Sequence, residues 1–185
     1  MKLFALLLFI FSACGRPEVK TLPKPTVNTR VAKKNSGEKP SAEVEKYIKN
    51  EFAGWSLASK SDYIKSWWSF YDNKSVPYFV ATDINDDQLS DYGLILKKSN
   101  SIKVVILVGD KNSFKHWVAK EVGEPFNFNL KNLQLGLTIE PPGRIDIAYP
   151  AIKSLILKSN AINVMEFENR LCIYYWLGEK IKVFN

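Results

Sequence analysis

The sequence predicts an α+β protein, with one or two N-terminal helices packed on a mostly antiparallel β-sheet. Helix-period apolar residues are confined to the stretch between Ser41 and Tyr71. From Val76-Pro77 onward the texture changes to short runs rich in Val, Ile, Leu and Tyr, parted by Asn, Ser, Gly and Lys clusters. Between those runs nothing resembles the helical crossovers that a parallel sheet needs, so antiparallel pairing is expected.

Ahead of the folded region stand two segments of different character. Met1 to Ala13 read MKLFALLLFIFSA, one basic residue followed by an apolar run from Leu3 to Phe11 and then small residues. That is the pattern of a secretory signal, too short to span a bilayer. Phe11, Ser12, Ala13 and Cys14 resemble a bacterial lipobox, which implies cleavage before Cys14 and lipidation of its thiol. The alternative is an ordinary signal peptide that happens to leave a cysteine. Residues 14–40 are rich in Pro, Lys, Thr and Asn and offer nothing to bury, so they read as a disordered tether. Seven basic residues against Glu18 and Glu38 put +5 of the chain's +7 there. Lys2 belongs to the signal, which leaves +1 for Ser41 onward. The basic character therefore belongs to the tether and not to the domain, which argues against a nucleic-acid partner. A polybasic segment beside a lipid anchor suits anionic headgroups, unless it is simply a solvated linker.

Residues 41–185 are long enough to bury a single core, and no second linker interrupts them. In SAEVEKYIKNEFAGW, Ser41 stands at a capping position, Glu43 and Glu45 fall in the first turn, and Val44, Tyr47, Ile48 and Phe52 share a face, with Gly54 as the stop. A second helix is expected over Asp62 to Tyr71, where Ser59 and Asp62 fit a capping box and Ile64, Trp67, Trp68 and Tyr71 share helical spacing. Ten strands are expected after it: Tyr78 to Thr82, Tyr92 to Lys97, Ile102 to Val108, Trp117 to Val122, Gly136 to Glu140, Arg144 to Tyr149, Ser154 to Lys158, Ile162 to Phe167, Leu171 to Trp176 and Lys180 to Phe184. Leu177-Gly178-Glu179 marks a hairpin between the last two.

Between the first two strands lies DINDDQLSD, Asp83 to Asp91. Asp83, Asn85, Asp87 and Asp91 occupy its first, third, fifth and ninth positions, and the seventh offers the backbone carbonyl of Leu89. Calcium takes six to eight such hard oxygens. An EF-hand would need glycine at the sixth position and a bidentate Glu at the twelfth, where this chain has Gln88 and Leu94. The loop instead resembles the calcium loops of FG-GAP and VCBS type repeats in extracellular β proteins, with Gln88 replacing the usual glycine. Asp and Asn also turn backbone by themselves, so a metal-free turn is the competing reading.

A wider resemblance rests on VPYFVATDINDDQLSDYGLIL and INVMEFENRLCIYYWLGEKIKVF, which are similar to blocks in a family of small uncharacterised bacterial secreted and lipoprotein-type proteins. Only Asp83 to Leu96 and Tyr174 to Phe184 are specific to it. The resemblance implies a calcium-loop architecture and no enzymatic activity.

Residues for catalysis are sparse. His116 is the single histidine, and no GxSxG, HExxH or CxxC occurs. Glu166 and Glu168 would share one face of a strand and could form an acid/base pair, although a solvated face explains them equally well. With Cys14 given to lipid, Cys172 in LCIYYW reads as a buried structural thiol. Trp67, Trp68 and Tyr71 before the loop, and Tyr175 near the end, are candidate ligand-stacking residues if they face solvent and core residues if they do not. These features lead to the expectation of a lipoprotein of the bacterial cell envelope, facing periplasm or cell surface. Weakly bound calcium would stabilise its domain, which would act as a non-enzymatic module that binds or scaffolds a glycan or protein partner. An envelope hydrolase using Glu166 and Glu168 or the loop metal is the alternative.

Overall fold

A computed structural model describes residues 39–69, 71, 75–119, 132–148, 151–166 and 169–185, with the side chains of 169–171 left out. The signal segment, Cys14 and nearly all of the tether lie outside them. Among the described residues no helix is long and apolar enough to cross a membrane.

Among the described residues the architecture is mainly β, about 52% strand against 15% helical, which corrects the α+β expectation. Among the described residues one α-helix is present, α1 (Ala42–Glu51). Ser41 caps it, its side chain accepting the Val44 N–H at 3.4 Å, and Val44 and Ile48 are its buried residues. The backbone turns off at Gly54, whose φ of +81° suits a residue without Cβ. The second expected helix does not form. Lys60–Asp62 and Lys65–Ser69 are separate 3₁₀ turns, and the Ser59/Asp62 capping box serves the first of them. Between them Tyr63 is extended, at φ −113° and ψ 145°, and bridges to Leu133. Asp62 explains the break, because its carbonyl accepts the Leu133 N–H at 2.7 Å while its carboxylate pairs with Lys97 Nζ at 2.6 Å. A helix there would forfeit both contacts, so tertiary pairing overrides local propensity.

The strands are β1 (Ser56–Leu57), β2 (Phe79–Thr82), β3 (Asp91–Lys98), β4 (Ser101–Asp110), β5 (Ser113–Val118), β6 (Leu135–Glu140), β7 (Gly143–Ile147), β8 (Lys153–Leu157), β9 (Ala161–Glu166), β10 (Asn169–Trp176) and β11 (Ile181–Phe184). Every named pair among them is antiparallel. The first sheet runs β1-β3-β4-β5, with β2 also on β3. The second runs β11-β10-β9-β6, and β7-β8 form a separate two-stranded ribbon. The fifth strand begins earlier than Trp117 because Asp110 pairs with Ser113 across a two-residue turn at Lys111-Asn112.

Alternation assigns each face. On β3 and β4, Leu94, Leu96, Val105 and Leu107 pack under Val44, Ile48 and Phe52 of α1. Ile95, Val104, Ile106 and Val108 point the other way, into a core shared with Leu135, Leu137, Ile162, Val164, Cys172 and Tyr174 of the second sheet. Beyond that sheet Ala161 and Ile173 meet Ile145 and Leu157 of the β7-β8 ribbon. The order of layers is helix, sheet, sheet, ribbon. Where the two sheets meet, a Cβ added to Gly93 would lie 2.8 Å from Val80 Cγ2 and 3.1 Å from Ile162 Cγ2.

Candidate metal loop and surrounding surfaces

The Asp83–Asp91 loop closes by curling its N–H groups onto its own side-chain oxygens. Asp83 accepts from the Asp87 N–H at 3.2 Å and from the Gln88 N–H at 2.8 Å, one on each carboxylate oxygen. Asn85 Oδ1 accepts the Asp87 N–H at 3.3 Å, and its amide donates to Asp87 Oδ2 at 2.8 Å. Asp87 Oδ1 in turn accepts the Leu89 N–H at 2.8 Å. Asp86 and Gln88 take the left-handed conformation, at φ +60° and +70°. Gln88 therefore adopts the backbone that glycine usually supplies at that position, at a local cost of about 1 kcal/mol.

Asp91 differs from the other loop residues, being fully buried. Its Oδ2 accepts the Ile84 N–H and its Oδ1 the Gly109 N–H, both at 2.7 Å. Burial raises its carboxyl to about 7, with the nearby charges of Asp87 and Asp83 adding to the rise and the two N–H bonds opposing it. Ile84, at 0% exposure, plugs the loop into the inter-sheet core, a contribution of about 2 kcal/mol. Its carbonyl accepts from the Ser159 hydroxyl between β8 and β9. Gly109 is required where it stands, since a Cβ there would come within 2.9 Å of the Ser90 carbonyl oxygen.

The donor set suits a hard divalent cation: the carboxylates of Asp83, Asp87 and Asp91, the Asn85 amide oxygen and the Leu89 carbonyl fall within nine residues. Among the described residues no three Asp, Glu, His or Cys side chains are drawn together as a metal-holding group. The Asp83 and Asp87 carboxylates are held by the loop's own N–H and amide donors. Gly109, Ser159 and the plug formed by Ile84 escape a reading of the sequence. The first two lie far along the chain from the loop, and Ile84 resembles any apolar residue between two polar ones.

The four candidate stacking residues do not share a surface. Trp67 is 1% exposed and sits edge-on to Tyr63 at 5.7 Å, so it belongs to the core. Tyr71 is half-buried and donates its hydroxyl to the Leu137 carbonyl at 3.2 Å. Both press on Gly136, where a Cβ would lie 2.5 Å from Trp67 Cζ3 and 2.7 Å from the Tyr71 hydroxyl. Trp68 is half-buried with Lys60 Nζ 4.8 Å above its ring. Tyr175 packs on the opposite face of the second sheet, against the ribbon. A groove of about 310 Å³ lies elsewhere, between α1 and β1, lined by Lys49, Trp55 and Leu57 among others. Lys103 Nζ stands 4.4 Å from the Trp55 ring. Trp55 follows the helix stop immediately, where the sequence gives no sign that it forms a groove.

His116 Nδ1 lies 2.9 Å from the Tyr47 hydroxyl, and its ring meets Phe52 at 4.9 Å, a packing contact that seats α1 on β5. Glu166 is half-buried in β9, and Glu168 lies outside the described residues.

Comparison of the chain with protein-family models, with curated proteins and with solved structures gave no match.

Proposed function

We propose that the protein is a lipid-anchored lipoprotein of the bacterial envelope whose domain is stabilised by calcium in the Asp83–Asp91 loop and acts as a non-enzymatic binding or scaffolding module. The observation that carries the calcium reading is the loop's construction. Short oxygen side chains recur at alternate positions with the loop's backbone N–H groups curled onto the Asp83 carboxylate, and the ninth residue, Asp91, is buried at the loop's base. Asp83, Asn85, Asp87 and Asp91 would hold the ion with the Leu89 carbonyl. The ion would supply charge neutralisation among carboxylates that otherwise repel. The resemblance to secreted calcium-loop proteins points the same way. The anchor is read from Cys14 behind a short apolar leader, and the basic tether suits an anionic membrane surface. For a glycan or protein partner, the Trp55 groove offers a half-buried aromatic ring with lysines beside it.

Two measurements on the protein expressed in a bacterial envelope test this. Detergent phase partitioning should place the wild type in the detergent phase and Cys14→Ser in the aqueous phase; equal partitioning removes the anchor. Equilibrium dialysis of the purified protein against about 10 mM calcium chloride should find calcium bound in excess of a chelated control, and equal calcium in the two removes the calcium reading.

A further inference from the structure

Thr82 ends β2 one residue before the loop begins, and it is 8% exposed. Its hydroxyl oxygen is buried and has no hydrogen-bond partner among the described residues. A buried hydroxyl left unpaired is costly, and threonine could be replaced there by valine of the same shape at no steric expense. The surroundings suggest a use for it. Thr82 stands directly opposite Asp91 in the β2-β3 register, and residues so paired put their side chains on one face. That face is the inner one, because the neighbouring pair Val80 and Gly93 abuts Ile162 of the second sheet. The unpaired oxygen therefore lies on the same buried side of the strand pair as the Asp91 carboxylate. Each Asp91 oxygen accepts one N–H, which leaves each with a further lone pair.

Resting on the calcium reading of the Asp83–Asp91 loop, we propose that Thr82 is a further residue of that site, its hydroxyl serving as the oxygen that meets the bound cation on the buried side, directly or through one water. Hard divalent ions such as calcium take neutral oxygens and carboxylates together. Such an ion also accounts for the unpaired hydroxyl, which valine would avoid.

Calorimetric titration of the full-length protein with calcium chloride, after chelator treatment, tests the assignment in three proteins. Thr82→Val is expected to bind about tenfold more weakly than wild type, the loss typical of removing an outer-shell partner. In chelator it should melt at the wild-type temperature or above, because the deleted hydroxyl had no partner to lose. Thr82→Ser, which keeps the oxygen, should bind within about threefold of wild type. Equal affinity for Thr82→Val and wild type would overturn the assignment and leave the loop site standing. The assignment also fails if Thr82→Ser binds as weakly as Thr82→Val, or if Thr82→Val melts well below wild type in chelator. A wild type that takes up no calcium would overturn the loop reading itself and this assignment with it.

Discussion

Asp91 is held in place by hydrogen bonds to the Ile84 and Gly109 N–H groups, and burial opposes the charge that makes those bonds strong. Its spacing in the sequence makes it look interchangeable with Asp87, yet Asp87 is exposed. The two should separate on mutation. Asp91→Ala leaves two buried donors unpaired, at about 1–3 kcal/mol each, offset in part by removal of a buried charge. It should lower the stability of the chelated protein by about 2 kcal/mol, whereas Asp87→Ala should change it by less than about 1 kcal/mol. Both should abolish stabilisation by calcium. Urea unfolding in chelator measures the difference, and equal midpoints for the two variants would mean that Asp91 is not a strut. Asp62 offers a pH test at the same scale. Burial would raise its carboxyl, but the Lys97 ammonium and two hydrogen bonds from Ser59 outweigh it and hold the group below the usual carboxylate range. A lowered folded value means that its stabilisation is present above the unfolded value and is lost as pH falls through the folded one. Asp62→Asn should therefore cost about 1–3 kcal/mol at neutral pH and progressively less in strong acid. A cost that does not change with pH would contradict the pairing.

At the level of elements, the pattern of apolar runs parted by Asn, Ser, Gly and Lys clusters located ten of the eleven described strands, with β3 and β4 sealed on both faces. It missed Ser56–Leu57, because two residues hold no period. Helical spacing from Ile64 to Tyr71 misled for a different reason. Trp67 and Tyr71 do lie close together, at 6.0 Å between rings, but Trp67 stands on a 3₁₀ turn and not on an α-helix. What decides that stretch is Asp62 and Tyr63 reaching Lys97 and Leu133, partners that no local pattern contains. The loop was legible to the same extent: its oxygen-bearing residues are contiguous, whereas Gly109 and Ser159 come to it from the fold. Gly136 tests the packing of the 3₁₀ segment. Gly136→Ala would drive a methyl into the Trp67 ring and should destabilise by about 1–3 kcal/mol, with a shift in tryptophan fluorescence. An unshifted spectrum with unchanged stability would mean that Trp67 does not sit over β6.

For the whole molecule, the loop ties parts that the sheets leave separate. Ile84 enters the inter-sheet core, and Ser159 reaches it from the β8-β9 connection, while Asp91 fastens the loop's end to the adjoining β4 through Gly109. An ion in the loop would thus stabilise the domain as a unit and not just one turn. With oxygens drawn from one short segment and no bidentate Glu, affinity should fall in the weak extracellular class, roughly 10⁻⁴ to 10⁻³ M. Calcium at about 10 mM, roughly ten times the weaker of those constants, would add about 1.4 kcal/mol to folding. The most direct test is the melting temperature of the domain at about pH 8, where Asp91 is mainly ionised, in calcium and in excess chelator. The predicted result is a rise of about 3 to 6 °C with calcium, reversed by chelator and absent in Asp87→Ala. Identical melting in calcium and in chelator would contradict the proposal that the Asp83–Asp91 loop is a calcium site.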